Sequence, residues 1–152
     1  MTEEQISESI TIDAPPEVVF AILADPRQHS RIDGSGSVGS VINAPDLLTA
    51  TGQTFSVRMK MFGLPYVVRN RVVEFEAGRR IAWRHFAPNR WRYELTPTAD
   101  GGTTVTETFD ASRADRVTDA VVRAAKFPER NREGIVGTLQ RLKQAAEADA
   151  RG

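Results

Sequence analysis

Alternating and helical patterns of apolar residues divide the chain into a run of strands and one closing helix. From 53 to 110, five segments alternate apolar and polar residues between turn residues, which predicts successive antiparallel strands. From Pro128 to Ala150, apolar residues recur at steps of three and four, which predicts an amphipathic helix. Its apolar stripe is formed by Ile135, Leu139, Leu142 and Ala146. A sheet packed against this helix would bury the apolar sides of both.

Two further strands and three short helices complete this pattern. Proline suits the first turn of a helix and disfavours a helical residue before it, so Pro16 marks a helix start and Pro26 a helix end. Asp13 is the candidate cap of that first helix. The added strands cover 6–13 and 38–42, and the added helices cover 14–25, 27–31 and 113–126. Because no linker or repeat interrupts the chain, residues 1–152 are expected to form one domain.

Composition excludes several classes of function. Lys plus Arg and Asp plus Glu both number 20 in the 152 residues, so no net charge recruits nucleic acid or an acidic membrane. The absence of cysteine excludes thiol catalysis, thiolate zinc sites and disulfides. The two histidines, His29 and His85, lack metal-ligand spacing, so we expect neither a metal site nor a cofactor. No apolar run approaches the ~20 residues that span a bilayer, and the polar, acidic start favours a cytoplasmic protein.

Three stretches of the sequence resemble a known superfamily. They are Ile12-Asp-Ala-Pro-Pro-Glu-Val-Val-Phe20 with the Asp25-Pro26 stop, Trp91-Arg-Tyr-Glu-Leu-Thr-Pro97, and Gly101-Gly-Thr-Thr-Val-Thr-Glu107. They resemble the START-like superfamily, also called SRPBCC or Bet v 1-like, and in particular its bacterial polyketide cyclase/dehydrase-like proteins. The resemblance implies an α+β helix-grip fold, in which a curved antiparallel sheet of about seven strands wraps a long C-terminal helix, with two short helices between the first two strands. It also implies an apolar cavity for a lipid, a polyketide or a similar ligand.

Strand parity predicts which side chains face the helix, because neighbouring residues of a strand point to opposite faces. Arg92 and Glu94 suit solvent, so the residues that alternate with them should face inward. A turn centred on Pro88 and a loop centred on Asp100 would fix the register of the two hairpins. The predicted cross-strand pairs are Trp83 with Tyr93, His85 with Trp91, Tyr93 with Glu107, and Trp91 with Phe109.

Strict alternation conflicts with the sequence of the strand over 66–76. If its arginines point outward, Val73 and Phe75 would also point outward, although both are apolar. We therefore expect a β-bulge or a switch of face near Glu74. The predicted outer face carries Arg69, Arg71, Arg84 and Arg92, with Glu74, Glu76 and Glu94 among them. Such a face could bind an acidic partner, although mixed charge is typical of an ordinary solvated sheet.

The predicted inner face combines aromatic and thioether surface with a few polar groups, which is how small-molecule pockets are built. The alternative is that aromatic side chains facing a helix simply fill a core. The predicted ligand-binding residues are Val57, Met59, Met61, Asn70, Val72, Trp83, His85, Trp91, Tyr93, Glu107, Phe109, Asn131, Ile135, Thr138 and Leu139.

Three of these residues are also candidates for proton transfer. An inward Glu107 would have its pKa raised by burial, whereas a register one residue out would make it the solvated partner of a surface arginine. His85 could exchange protons near neutral pH or be structural, and Tyr93 is the third candidate. His29, with Asp33 nearby, could line the mouth of the cavity, but we expect a surface histidine at a helix end.

Three functions remain open from the sequence. The first is binding of a small hydrophobic or aromatic ligand between sheet and helix, for transport, sequestration or sensing. The second is a polyketide cyclase, aromatase or dehydratase, and the third is an interaction protein with a filled cavity. Gly134 and Gly137 interrupt the closing helix and could leave room for a ligand, or for Trp83 and Trp91.

Overall fold

The chain folds into one seven-stranded antiparallel sheet and a long C-terminal helix. The computed structural model describes residues 5–34, 38–61, 63–84, 89–111 and 127–152, apart from the side chains of Met61 and of residues 127–131. The strands are β1 (Gln5–Ile12), β2 (Val38–Asn43), β3 (Thr54–Met61), β4 (Leu64–Glu76), β5 (Arg80–Arg84), β6 (Arg90–Pro97) and β7 (Thr103–Asp110). The helices are α1 (Pro16–Leu23), α2 (His29–Ile32) and α3 (Phe127–Arg151), with a 3-10 turn at Pro26–Gln28.

The strands lie in the order β1-β7-β6-β5-β4-β3-β2, so the first strand pairs with the last and β2 forms the other edge. All described pairs are antiparallel. The α+β helix-grip fold is therefore confirmed, with α1 and α2 between the first two strands. The helix predicted over 113–126 lies outside the described residues.

The α3 helix buries the apolar stripe that its periodicity predicts. Ile135 and Leu142 are fully buried and Leu139 is almost so. They join the inner side of the sheet in one apolar core, which includes Ile81 and Val105. Burying a side chain of this size is worth roughly 1.5–3 kcal/mol, so this stripe is a principal source of stability.

The start of α1 differs from its prediction. Pro15 occupies the N-cap position in an extended conformation, and no side chain caps the helix. The backbone N–H of Asp13 instead donates to the Glu147 carboxylate of α3 over 2.8 Å. Asp13 is thus not the cap, and the entry to α1 is fixed by proline geometry and by this link to α3.

The β6–β7 hairpin has the predicted register. Tyr93 lies opposite Glu107, and Trp91 lies opposite Phe109. The loop that sets this register is held by Thr98, whose hydroxyl donates to Asp100 and accepts from the N–H of Gly102. Turn chemistry of this kind fixes the centre of a hairpin and hence every pair along it.

The β5–β6 hairpin does not have the predicted register. Trp83 lies opposite Trp91 and Ile81 lies opposite Tyr93, so the predicted pairs Trp83 with Tyr93 and His85 with Trp91 are wrong. Because the shift is two residues, each side chain still points to the predicted face. His85 itself lies outside the described residues.

The β-bulge predicted near Glu74 is confirmed. Val72 pairs with Trp83 and Glu74 pairs with Ala82, which leaves Val73 as the extra residue of β4. The insertion switches parity, so that Phe75 packs against the core while Glu74 faces outward.

A close backbone approach explains Gly137. It lies against Gly34, the residue that follows α2 and Asp33, and a Cβ built on Gly34 would stand 2.4 Å from the Gly137 carbonyl carbon. The Gly34 N–H also donates to the hydroxyl of buried Thr138 over 2.9 Å. The room at Gly137 is therefore taken by the chain itself, and not by a ligand, Trp83 or Trp91.

The outer face of the sheet carries an ion-pair network centred on Glu74. Its carboxylate accepts from Arg90 over 2.7 Å and from Arg92 over 2.8 and 2.9 Å. Arg92 also donates to Asp110 over 3.1 Å. The Arg92 guanidinium, followed by that of Arg90, lowers the pKa of Glu74 to about 2. This part of the outer face is internally neutralised.

Replacing Glu74 with glutamine is expected to cost roughly 1–2 kcal/mol at neutral pH, because Arg90 and Arg92 lose their shared carboxylate. The folded-state pKa lies below the usual 4.5, so the ion pair stabilises above that pH and its contribution is lost as the pH falls towards 2. Urea unfolding at pH 7 and pH 3 measures this difference, which should be smaller at the lower pH. Glu76→Gln on the same face is the control; an equal loss there would contradict the network's role.

Candidate functional site

Most of the predicted ligand-binding residues meet on the inner side of the sheet, beneath α3. Within the described chain, Val57, Asn70, Val72, Trp83, Tyr93, Glu107, Phe109, Ile135, Thr138 and Leu139 are buried, and Met59 and Trp91 are half-buried. The Met61 and Asn131 side chains and all of His85 lie outside the described residues. Met59 and Trp91 are therefore the least covered of these described side chains.

Aromatic rings form a connected cluster on this inner face. Trp83 contacts Tyr93 and Phe55, each with 5.6 Å between ring centroids. Trp91 contacts Phe109 with a centroid separation of 4.7 Å. Such pairs contribute about 0.5–1.5 kcal/mol each beyond the burial of their area. The cluster gives the site a rigid apolar wall.

His29 belongs to this cluster and is not the surface histidine predicted from the sequence. Its ring stacks on Trp83, with centroids 4.7 Å apart and planes 20° apart, and it meets Phe55 edge-on. Its Nε2 lies 2.8 Å from the Leu23 carbonyl oxygen. Since a carbonyl only accepts, Nε2 carries the proton and Nδ1 is the acceptor of the neutral ring. Burial lowers the pKa of His29, so the ring stays neutral near pH 7.

A buried Tyr93–Glu107 pair is the chemical centre of the site. The Tyr93 hydroxyl donates to Glu107 Oε2 over 2.9 Å, and the two residues are only 5% and 3% exposed. Antiparallel pairing of β6 with β7 sets them directly opposite each other. Of the two alternatives for Glu107, the structure therefore shows the inward one.

Burial raises the pKa of Glu107 to about 8, and the nearby negative charge of Asp33 acts in the same direction. The hydrogen bond from Tyr93 opposes this shift. Burial, and then the charge of Glu107, raise the pKa of Tyr93 well above its usual range. Near neutral pH the pair is thus a protonated carboxyl beside a neutral phenol. It can donate or accept a hydrogen bond, and it can exchange a proton.

A second carboxylate lies beside Glu107 on the same face. Glu8 of β1 is its direct cross-strand neighbour and forms an ion pair with Arg132 of α3. Two like charges directly opposite each other in a sheet are unfavourable. Glu8 is neutralised by Arg132, whereas no cation pairs with Glu107 among the described residues, which fits the protonated state of Glu107.

Two buried side-chain oxygens on the inner face lack a hydrogen-bond partner among the described residues. They are Glu107 Oε1 and Asn70 Oδ1, and Asn70 is only 2% exposed. Asn89 Oδ1 and the N–H donor Arg90 Nε, at the start of β6, also lack a described partner. Leaving such an atom buried and unpaired costs about 1–3 kcal/mol, so each is a place where a bound molecule would gain binding energy.

The described surface also has an open depression, but it lies away from this face. It is lined by α1 and by Asp25, Gln28 and Asp149, and Asp149 is engaged with Arg31 over 2.9 and 3.0 Å. The cavity predicted between sheet and helix stays a prediction. Within the described ranges, no cluster of three or more potential metal ligands occurs. No helix in the described part of the chain has the length and apolar character needed to cross a membrane.

Sequence reasoning missed the part that α2 plays in the site. His29 stacks on Trp83, and Asp33 contributes to the raised pKa of Glu107. Phe55, which contacts the rings of His29 and Trp83, was also absent from the predicted lining. The alternation of Phe55 with Ser56 could have placed Phe55 inside, but a four-residue helix offers no periodicity from which to orient His29.

Comparison with known proteins identifies the family of this chain. A sequence model of the family described as "Polyketide cyclase / dehydrase and lipid transport" matches residues 3–147. An uncharacterized protein of Mycobacterium tuberculosis strain H37Rv is 38% identical over 140 residues, which is 91% of this chain. The alignment spans 62% of that relative's length.

Solved structures share the fold at low sequence identity. A protein from Nitrosomonas europaea superposes with a TM-score of 0.76 at 16% identity, covering 100% of this chain and 99% of that one. A polyketide-cyclase-like protein from Corynebacterium glutamicum has a TM-score of 0.61 at 19% identity, covering 95% and 90%. At these identities the likeness shows the fold alone.

Proposed function

This chain belongs to the polyketide cyclase/dehydrase and lipid transport family, and on that premise we propose that it binds an elongated, largely apolar ligand against the inner face of its sheet. One observation carries the proposal: Glu107 Oε1 and Asn70 Oδ1 are buried oxygens without a described hydrogen-bond partner, on a face otherwise made of aromatic and aliphatic side chains. A ligand with a hydroxyl group near each of them would satisfy both, because a hydroxyl can accept from the protonated Glu107 and donate to Asn70.

The spacing of these two oxygens supports an elongated ligand. Asn70 lies on β4 and Glu107 on β7, which are separated by β5 and β6. Three strand intervals amount to about 14 Å across the sheet. The rings of Trp83 and Trp91 lie between the two residues that carry these oxygens. The ligand would therefore cross β5 and β6 over these rings, with one polar group towards each end.

Tryptophan fluorescence offers a direct test, because the chain has two tryptophans and both lie on the inner face. Titration with oleyl alcohol should quench their emission saturably. Glu107→Leu should weaken binding by up to about tenfold, since one hydrogen bond is lost, while Glu76→Gln should leave binding unchanged. Absence of saturable quenching by apolar alcohols and acids, together with no ligand in native mass spectra of protein from its own host, would refute the proposal.

The protonation state of Glu107 favours a second candidate, proton-transfer catalysis on a polyketide-like substrate. A carboxyl with a pKa of about 8 beside a phenol can act as an acid or a base near neutral pH. The Glu107→Gln variant distinguishes the two candidate functions, when it is incubated with a substrate that the wild-type protein converts. If the variant binds that substrate but no longer converts it, Glu107 is catalytic. If no candidate substrate changes while ligands still bind, the protein is a carrier.

A further inference from the structure

The edge half of the outer sheet face carries a continuous group of cations, here named the basic strip. It consists of Arg58, Lys60, Arg69, Arg71 and Arg84, all of them exposed. Register places these residues together: Arg71 pairs with Arg84 and with Thr54, and Arg58 lies opposite Val67, which precedes Arg69 by two residues. Alternation puts them on the face opposite to buried Val57, Val68 and Val72.

No carboxylate of the described residues neutralises the basic strip. The residues of β2, of β3 and of β4 as far as Val73 include neither Asp nor Glu, although acidic and basic residues balance over the whole chain. The acids of the outer face, including Glu74, lie beyond the β-bulge. In the described structure, none of the five cations forms an ion pair, and Arg69 donates only to the Thr54 hydroxyl at 3.5 Å. The zero net charge therefore conceals a strongly positive surface.

Exposed aliphatic side chains accompany the basic strip. Val67 is 60% exposed and lies on the same face, between Arg58 and Arg69. Ile42, on the edge strand β2, is 46% exposed. Cations beside protruding aliphatic residues are typical of proteins that bind the interface of an anionic membrane.

We propose that the basic strip docks the protein on the surface of an anionic phospholipid bilayer. The strip cations would contact lipid phosphates, for which the arginine fork is well suited. Val67 would enter the boundary between headgroups and acyl chains. An acidic protein would use the cations but would leave this exposed aliphatic side chain without an apolar environment. This docking is independent of the ligand proposed for the inner face.

Vesicle co-sedimentation tests the proposal. At low salt the protein should bind vesicles of phosphatidylcholine with phosphatidylglycerol and not vesicles of phosphatidylcholine alone. Arg69→Gln with Arg71→Gln should weaken binding about 25-fold, since each cation near an anionic surface contributes about fivefold. The matched control is Arg79→Gln with Arg141→Gln, two exposed arginines outside the strip. Circular dichroism and thermal unfolding verify that each variant is folded.

A second variant distinguishes a membrane from an acidic protein. Val67→Ser should weaken vesicle binding but leave binding to polyglutamate unchanged, because the cations remain. The proposal is overturned if the wild-type protein does not bind anionic vesicles. It is equally overturned if the control pair loses as much affinity as the strip pair, or if polyglutamate binds while vesicles do not.

Discussion

Glutamine in place of Glu107 is expected to stabilise the ligand-free protein by on the order of 4 kcal/mol at pH 8.5 and hardly at all at pH 4. The folded-state pKa of Glu107 is about 8, above the usual 4.5. Between these values the unfolded chain releases the proton that the folded chain keeps, so stability falls as pH rises. Each unit of pKa difference is worth about 1.4 kcal/mol, and glutamine removes this loss while still accepting from Tyr93.

Urea unfolding from pH 4 to pH 8.5 measures the effect, as the difference between the variant and the wild type. That difference isolates Glu107 from His29, whose lowered pKa produces the opposite slope below its usual 6.5. Glu76→Gln, on the outer face, should give a curve parallel to the wild type. The prediction is contradicted if the stability curve of Glu107→Gln is also parallel to that of the wild type. Glu107 would then ionise as freely in the folded chain as in the unfolded one.

Alanine in place of Gly34 is expected to destabilise the protein by about 3 kcal/mol, the upper end of ordinary overpacking. The added Cβ would stand 2.4 Å from both the Gly137 carbonyl carbon and the Thr138 nitrogen, which belong to the backbone of α3. Backbone atoms of a helix cannot rotate aside as a side chain can. The helix would have to move away from the segment that carries Asp33, and the apolar contacts of its buried stripe would loosen.

Gly137→Ala is the matched substitution on the other side of this contact. Its Cβ would approach Gly34 to 3.2 Å, which a small displacement relieves, and alanine favours a helix over glycine by about 1 kcal/mol. Thermal and urea unfolding of the two variants should therefore give a large loss for Gly34→Ala and almost none for Gly137→Ala. Similar losses in both would show that the segment after α2 does not rest on α3 in this way.

The parts of the fold that local chemistry determines could be predicted from the sequence. Alternation placed Tyr93, Glu107 and Phe109 on the inner face, and the turn around Asp100 fixed their register. The β5–β6 register failed because the connection from His85 to Pro88 has no glycine or Asn-Gly step to locate its centre. The predicted orientation of each side chain, inward or outward, was still correct, because a register shift of two residues does not change it.

The parts that depend on contacts between distant segments could not be predicted. His29 is buried because Phe55 and Trp83 of the sheet pack against it. No residue near His29 in the sequence indicates this contact. The approach of Gly34 to Gly137 is equally non-local. A glycine in a helix shows that space is needed there, but only the fold shows what fills it. The raised pKa of Glu107 likewise includes the charge of Asp33, which the chain order does not reveal.

The extra residue at Val73 has a consequence for how this chain tolerates changes of length. Before it, odd-numbered residues such as Arg69 and Arg71 point outward; after it, even-numbered residues such as Glu74 do. Deleting Val73 would straighten the strand and turn Glu74 and Glu76 towards the helix, or else turn both arginines inward. Length variation is therefore far more acceptable in the hairpin loops than at this position, and the separation of the neutralised, mixed-charge half of the outer face from the basic half depends on a single amino acid.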